Sequence, residues 1–383
     1  MLCLGFHTSI AQGSYYDYID LDKFKVGYCD SVIYDNEIQY SQYHYEGIAP
    51  IFVQIWFPAD IVTNQNFMRF GDFRLKVVPK ELSLVYQELS NHMDESFIRD
   101  GITYDILTDK PIDYGNQNIK EIYNRIKMIQ TKSKRSKIAS KLNYPVIVYH
   151  HGAQGMSDEN SVMAEYFASK GYIFISANFH LPYPNTAFGL LPYNLEKENK
   201  HNQSTAKTVI NFAKTISTNN NVFYVGHSWG AQEGWCFLNQ QGLVAGFVSM
   251  ETTIEFKTDN EVIMNKWPYV YDALKTKKNE FSIPILLFAA KEDNTNFDFF
   301  KGLSSKEMLY ASFKEPFAHN SYTSFYMMRY FLRDEINQPD SDILLSQIKG
   351  YVAHLDLIYA FFESIRTKQE LDKVKFQKMF YLN

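Results

Sequence analysis

A chain of 383 residues is long enough for one large domain with insertions or for two ordinary ones, so core size is not limiting. With 45% hydrophobic, 16% aromatic and 21% charged residues, it has the composition of a folded globular protein, which excludes long disorder. Thirty-eight basic against 43 acidic residues give a formal charge of -5, which excludes bulk attraction to nucleic acid or to an anionic membrane surface.

Residues 1–11, "MLCLGFHTSIA", read as the tail of a truncated signal peptide. Ser9 and Ala11 stand where the small residues of a cleavage site would be, and Gln12 starts the mature chain. The charged opening of such a signal is missing, and the other reading is an ordinary apolar amino terminus. The first reading implies a secreted or periplasmic bacterial protein, the second a cytoplasmic one. Cys3, Cys29 and Cys236 are too few and too scattered for a disulfide framework or a paired-cysteine metal site, while a Cys29 to Cys236 bridge stays open. No apolar run approaches the ~18 residues of a membrane span, so no integral membrane segment is expected.

"PIFVQIWFPAD", from Pro50, reads as a strand, and "YPVIVY", Tyr144 to Tyr149, is the next apolar run of similar strength. Adjacent core strands rarely need so long a connection. Residues 12–383 are therefore read as a single domain with an insertion at about 61–143, partly helical around Lys80 to Met93 and Ile119 to Ile129, and placed to act as a lid. The basic run Lys127 to Lys141 reads as a solvated helix face or loop. After residue 144 strands and helices alternate. Strands are expected at Val146–Tyr149, Tyr172–Ala177, Val222–Val225, Val244–Met250, Ile283–Ala289 and Met308–Phe313. Helices are expected at Ser161–Lys170, Thr205–Ser217, Ala231–Asn239 and around Leu355–Thr367. That rhythm predicts an α/β fold with a mostly parallel sheet and helices on both faces, and ligands at the carboxyl ends of its strands.

Gly226-His227-Ser228-Trp229-Gly230 fits G-x-S-x-G, between the β-rich "VFYV" and the helix-like "AQEGWCFL". A sharp strand-to-helix turn that exposes a serine oxygen needs that setting, and small neighbours on both sides. A serine hydroxyl is a poor nucleophile at neutral pH, so it needs a base, and the base needs a carboxylate. His319 follows the last core strand and opens a loop of small and polar residues, as such a base should. His354 lies in an apolar helical stretch and reads as structural, and His7, His44, His92, His180 and His201 lack a strand-end setting. For the acid, Glu251 ends "LVAGFVSME" and Asp293 follows "IPILLFAAKED". Both obey the order serine, acid, histidine, and the pattern leaves both open.

The developing oxyanion needs two preset donors. One is expected from the backbone N–H of Trp229. The other is expected from the loop in "PVIVYHHGAQG", where Gly152 and Gly155 let the chain turn inward and Ala153 is best placed. His150 and His151 lack a third ligand at sensible spacing and read as structural; no metal and no cofactor is called for.

Taken together, "FVQIWFPAD", "PVIVYHHGAQG", "GHSWGAQ", "GFVSMETTI", "FAHNSYTSF" and "LIYAFFESI" resemble the α/β-hydrolase fold. Within it they resemble the platelet-activating-factor acetylhydrolase and dienelactone-hydrolase-like bacterial esterases, over roughly Ile51 to Ile365. The resemblance implies a serine esterase acting on a small-molecule ester, with the acid after the strand that follows the nucleophile helix. This favours Glu251 over Asp293, with glutamate replacing the usual aspartate. Two other readings remain: a prolyl-oligopeptidase-like peptidase or acyl-aminoacyl hydrolase, and a non-catalytic binding protein on the same fold.

Overall fold

The computed structural model describes residues 15–383 except 22–23, 60–65, 75, 109, 139–140, 154, 186–194, 291–296 and 339, and excepting the side chains of 15 and 195–197. The signal-like segment 1–11 and Asp293 lie outside the described residues. Two long strands, β1 (Lys25–Gln42) and β2 (Tyr45–Ala59), form an antiparallel hairpin. Its two turn residues, Tyr43 and His44, both have positive φ, the hand of turn that matches strand twist. A short strand β3 (Ser133–Arg135) pairs parallel with β1.

The sheet continues with β4 (Val146–His150), β5 (Ile173–Ala177), β6 (Val222–His227), β7 (Gly246–Met250), β8 (Phe281–Ala289), β9 (Ser305–Phe313) and β10 (Phe380–Leu382). Its strand order is β10-β9-β8-β7-β6-β4-β5-β2-β1-β3. From β5 to β9 every neighbouring pair is parallel, as the alternating pattern predicts. β4, β5, β6 and β7 are buried along their whole length, which is why they read as continuous apolar runs. The chain goes from β4 to β5 on one side, then crosses to β6 on the other. The crevice between the carboxyl ends of β4 and β6 is therefore where a ligand site belongs.

The helices are α1 (Ser83–Phe97), α2 (Ile119–Lys127), α3 (Ser161–Ser169), α4 (Leu195–Ile216), α5 (Trp229–Phe237), α6 (Asn260–Lys266), α7 (Pro268–Tyr271), α8 (Phe325–Phe331) and α9 (Ser341–Thr367). Successive β6 side chains point to opposite faces. Phe223 stacks on Phe362 of α9 at 4.2 Å, while Tyr224 meets Phe237 of α5 at 5.7 Å, so α9 and α5 cover opposite faces. No helix of the described residues is long and apolar enough to cross a membrane.

Several elements differ from the sequence reading: β3 lies within the basic run Lys127 to Lys141, and the short elements α6, α7, α8 and β10 went unread. β1 went unread because its polar and apolar residues do not alternate cleanly across the bulge between Asp35 and Gln39. α4 begins at Leu195 rather than Thr205, since its first turns are polar. α9 begins at Ser341 rather than Leu355. Its early stretch carries Gly350, a poor helix former, which is required there because a Cβ would sit 2.8 Å from Phe317. Cys29 and Cys236 are both free thiols and do not pair with each other.

Two buried cations clamp the insertion to the rest of the fold: Arg329 of α8 donates to the Ile102 and Tyr104 carbonyls at 3.3 Å and to Asp340 at 2.6 Å, and Arg74 ties α1 and α2 to Asp158. Arg74 donates from Nε to Asp158 Oδ2 at 2.6 Å and from Nη2 to Asp158 Oδ1 at 3.1 Å, and its Nη1 reaches Asp94 of α1 and the Tyr123 hydroxyl of α2. Removing one partner of such a group strands a charge in a low-dielectric interior. Arg74→Ala is expected to lower unfolding free energy by about 3–5 kcal/mol, read by urea denaturation; a loss under about 1 kcal/mol would show that the clamp is ornamental.

Candidate active site

β6 ends at His227 and α5 starts at Trp229, so Ser228 alone makes the turn, with φ 52° and ψ -115°. A non-glycine residue held there stores strain, and its surroundings must enforce it. The glycines of the pentapeptide are the enforcement. A Cβ on Gly230 would lie 2.2 Å from the His150 carbonyl oxygen, and one on Gly226 would lie 2.5 Å from the Ala231 nitrogen. Strand, turn and helix are thus as close as backbones allow. The Ser228 N–H also donates to Met250 at 3.0 Å, tying the turn to β7. A Cβ on Gly152, in the loop after β4, would stand 3.1 Å from Ser228 Cβ.

His319 opens a short turn beyond β9, and its Nδ1–H donates to Glu251 Oε1 at 2.8 Å. Glu251 is buried and follows β7 directly, in a left-handed conformation with φ 46°. Thr253, at φ 70°, turns the chain again, so the loop accepts the longer acid. The second Glu251 oxygen accepts from the Ala290 N–H at 2.7 Å, which fixes the carboxylate against the end of β8. Burial pushes the His319 pKa down, but the Glu251 hydrogen bond and charge, aided by Glu255 and Glu159, more than offset it and leave it raised. With Nδ1 committed, Nε2 is the ring atom free to exchange a proton.

Ser228 and His319 line one cavity of about 200 Å³ together with Gly152, Ala153 and Glu159. Ala153 is exposed there, on the loop expected to donate to an oxyanion. Trp229 N–H belongs to the first turn of α5, whose amides lack intrahelical partners. Its indole turns elsewhere, donating to buried Glu233 at 2.9 Å, a carboxyl that burial pushes up to about 8. Of the two acids left open by the sequence, Glu251 is brought to His319, and Asp293 lies outside the described residues.

His150, His151 and His354 are placed in structural roles. His150 Nδ1 meets the Tyr224 hydroxyl at 2.5 Å and stacks on Phe179, while His151 is hydrogen-bonded to Gly152 O and Phe179 N. His354 is buried against Phe317, and burial pushes its pKa down to about 3. Among the described residues no group of three or more His, Cys, Asp or Glu could hold a metal ion.

Two groups of the site escape sequence reasoning. The buried Glu159 carboxylate accepts from the Tyr149 hydroxyl and from the Met156 N–H at 3.3 Å, so it braces the loop that carries Ala153. Its backbone carbonyl accepts from Ser324 N at 2.9 Å and Oγ at 2.7 Å, bracing the His319 turn as well. His227 donates from Nε2 to the His319 carbonyl at 3.1 Å, and its Nδ1 lies 3.8 Å from Glu159. The only signal for Glu159 was a polar cluster, "SDEN", after a strand end, while His227 stands within the pentapeptide itself, where the pattern leaves its position open to any residue. Arg99 and Asp100, from the insertion, line the same cavity and gave no signal.

Residues 145–287 match a family described as alpha/beta hydrolase fold. The protein has the α/β-hydrolase fold. A ferulic acid esterase from Streptomyces cinnamoneus shares it with a TM-score of 0.55 and 13% identity, covering 91% of this chain and 93% of that one. Brefeldin A esterase, described as a bacterial homologue of human hormone-sensitive lipase, gives 0.42 at 9% identity over 89% and 80%. An acylaminoacyl peptidase from Pyrococcus horikoshii gives 0.37 at 17% over 60% and 38%. No curated protein matches the chain in sequence. The likeness is to the α/β-hydrolase fold at large, and the narrower acetylhydrolase and dienelactone-hydrolase resemblance gains nothing from it.

Burial pushes the Glu159 pKa up, but His227, His151 and Tyr149 outweigh it and hold the carboxyl below its ordinary range. A depressed folded-state pKa contributes stability above the unfolded value, and that stability is lost as pH falls through the folded one. Glu159→Gln is therefore expected to cost about 1–3 kcal/mol at pH 7, with the gap to wild type closing on acidification toward pH 3. Denaturation curves across pH check it; a gap that widens in acid would contradict the assignment.

Proposed function

We propose that the protein is a serine hydrolase that cleaves carboxylic esters, with short acyl or acetyl groups, through an acyl-enzyme. Ser228 Oγ attacks the ester carbonyl while His319 Nε2 takes the hydroxyl proton. Glu251 holds the ring by Nδ1–H and balances the imidazolium that forms. The N–H groups of Ala153 and Trp229 receive the oxyanion. His319 then gives its proton to the leaving alcohol as the C–O bond breaks. Water, deprotonated by the same nitrogen, frees the acid and restores Ser228. The observation that carries this reading is the 2.8 Å His319–Glu251 hydrogen bond at the cavity that Ser228 lines. At about 200 Å³ that cavity is smaller than the ~300–1,000 Å³ of sites for drug-sized ligands, which favours a short acyl group.

Ser228→Ala and His319→Ala are each expected to lower kcat on p-nitrophenyl acetate by at least about a thousandfold, and Ser228→Ala to abolish fluorophosphonate labelling. Full activity in either variant would overturn the proposal. The base must be neutral to act, and its pKa is raised, so kcat/KM should fall as pH drops through a midpoint above the ordinary histidine value of about 6.5. Glu251→Gln should move that midpoint down, because the raising partner is gone.

A further inference from the structure

A second cavity of about 520 Å³ adjoins the first and shares Arg99, Asp100, His319 and Asn320 with it. Half of its remaining wall comes from the insertion, Tyr104 to Leu107, and half from Ala290 and the segment Pro316 to Ala318. The shared rim sits on a π-helical continuation of α1 (Ile98–Thr103) that packs directly on α8. A Cβ on Gly101 would fall 2.9 Å from Phe325 Cβ, and Phe97 meets the Phe325 ring at 4.9 Å. Arg99 and Asp100 are thus held over the His319 turn by backbone packing.

The chemistry of that pair is specific. Arg99 donates from Nε to Asp100 Oδ1 and from Nη2 to Oδ2, each at 2.7 Å. A guanidinium has five N–H donors, so three remain, and each carboxylate oxygen keeps a lone pair. Both residues line the cavity and their side chains are partly exposed, 42% for Arg99 and 31% for Asp100. Donors and acceptors fixed side by side match a pair of neighbouring hydroxyls, each of which accepts from the guanidinium and donates to the carboxylate. An anion gains little, because Asp100 already neutralises Arg99. Asp105 adds a further negative charge; burial opposes it, but its hydrogen bonds to Thr108 and Leu107 depress its pKa. The exposed Tyr104 ring supplies an aromatic face of the kind that packs against the C–H face of a sugar ring.

We infer that the larger cavity binds the alcohol half of the ester, and that this half is a neutral, polyhydroxylated ring such as a glycosyl unit. Arg99 and Asp100 then recognise vicinal hydroxyls. This inference rests on the ester-hydrolase reading above and names its substrate class.

The test compares kcat/KM for a mono-acetylated methyl glycoside with kcat/KM for cyclohexyl acetate, which has a ring of similar size without hydroxyls. The wild-type ratio should be at least tenfold in favour of the glycoside. Arg99→Met and Asp100→Asn should each lower it at least fivefold through KM, and Tyr104→Ala should lower it as well. A wild-type ratio near one, or a ratio that survives in all three variants, overturns the inference. Saturation-transfer NMR of unreacted methyl glycoside on Ser228→Ala needs no catalysis. Transfer that depends on Arg99, in a protein that cleaves no ester at all, would sink the hydrolase reading and leave the sugar site standing. Absence of transfer, with esters cleaved indiscriminately, would do the reverse.

Discussion

Everything at the candidate active site depends on the absence of side chains where β4, β6 and α5 converge. With a Cβ on Gly230 the His150 carbonyl would be 2.2 Å away, so the helix could not start where it does. Ser228 would then relax out of its left-handed conformation, and the loop after β4 would lose the surface it lies on. The turn is paid for by the sheet: β4, β6 and β7 are buried along their whole length and hold the two strand ends in register. Strain at one residue is tolerable because a large apolar core over-determines its surroundings.

Around that turn two buried carboxylates do different things. Glu251 faces His319 and sets the basicity of its ring. Glu159 never reaches that ring by a hydrogen bond, yet it holds both the loop carrying Ala153 and the turn carrying His319. One governs proton affinity, the other distance. Proximity effects are sensitive at the ångström scale, which makes a bracing group under the cavity as consequential as a group within it.

The parallel core was legible because buried parallel strands write themselves as uninterrupted apolar runs, and the helix after Ser228 because glycine spacing marks a tight turn. His319 and Glu251 were legible as strand-end residues, although the sequence alone left Asp293 beside Glu251. What escaped were features with no local signature. Arg99 and Asp100 reach the cavity only through the packing of Gly101 on Phe325, a contact 224 positions apart in sequence. Arg74 looks like any charged residue until Asp158, Asp94 and Tyr123 surround it. The early turns of α4 and α9 escaped because polar helical faces and an internal glycine blur the period.

The Arg74 clamp bears on how a substrate would enter. A covering segment that swings must break its tether each time, and the tether here is a buried ion pair next to Glu159, the residue bracing the loops that carry Ala153 and His319. Unpairing it at about 3–5 kcal/mol would leave the swung-out form at well under one molecule in a hundred. The helices α1 and α2 that Arg74 tethers would thus form a standing wall. In the proposed reaction turnover would not wait on a gate, and a change in the substrate accepted would come from altering the residues on that wall.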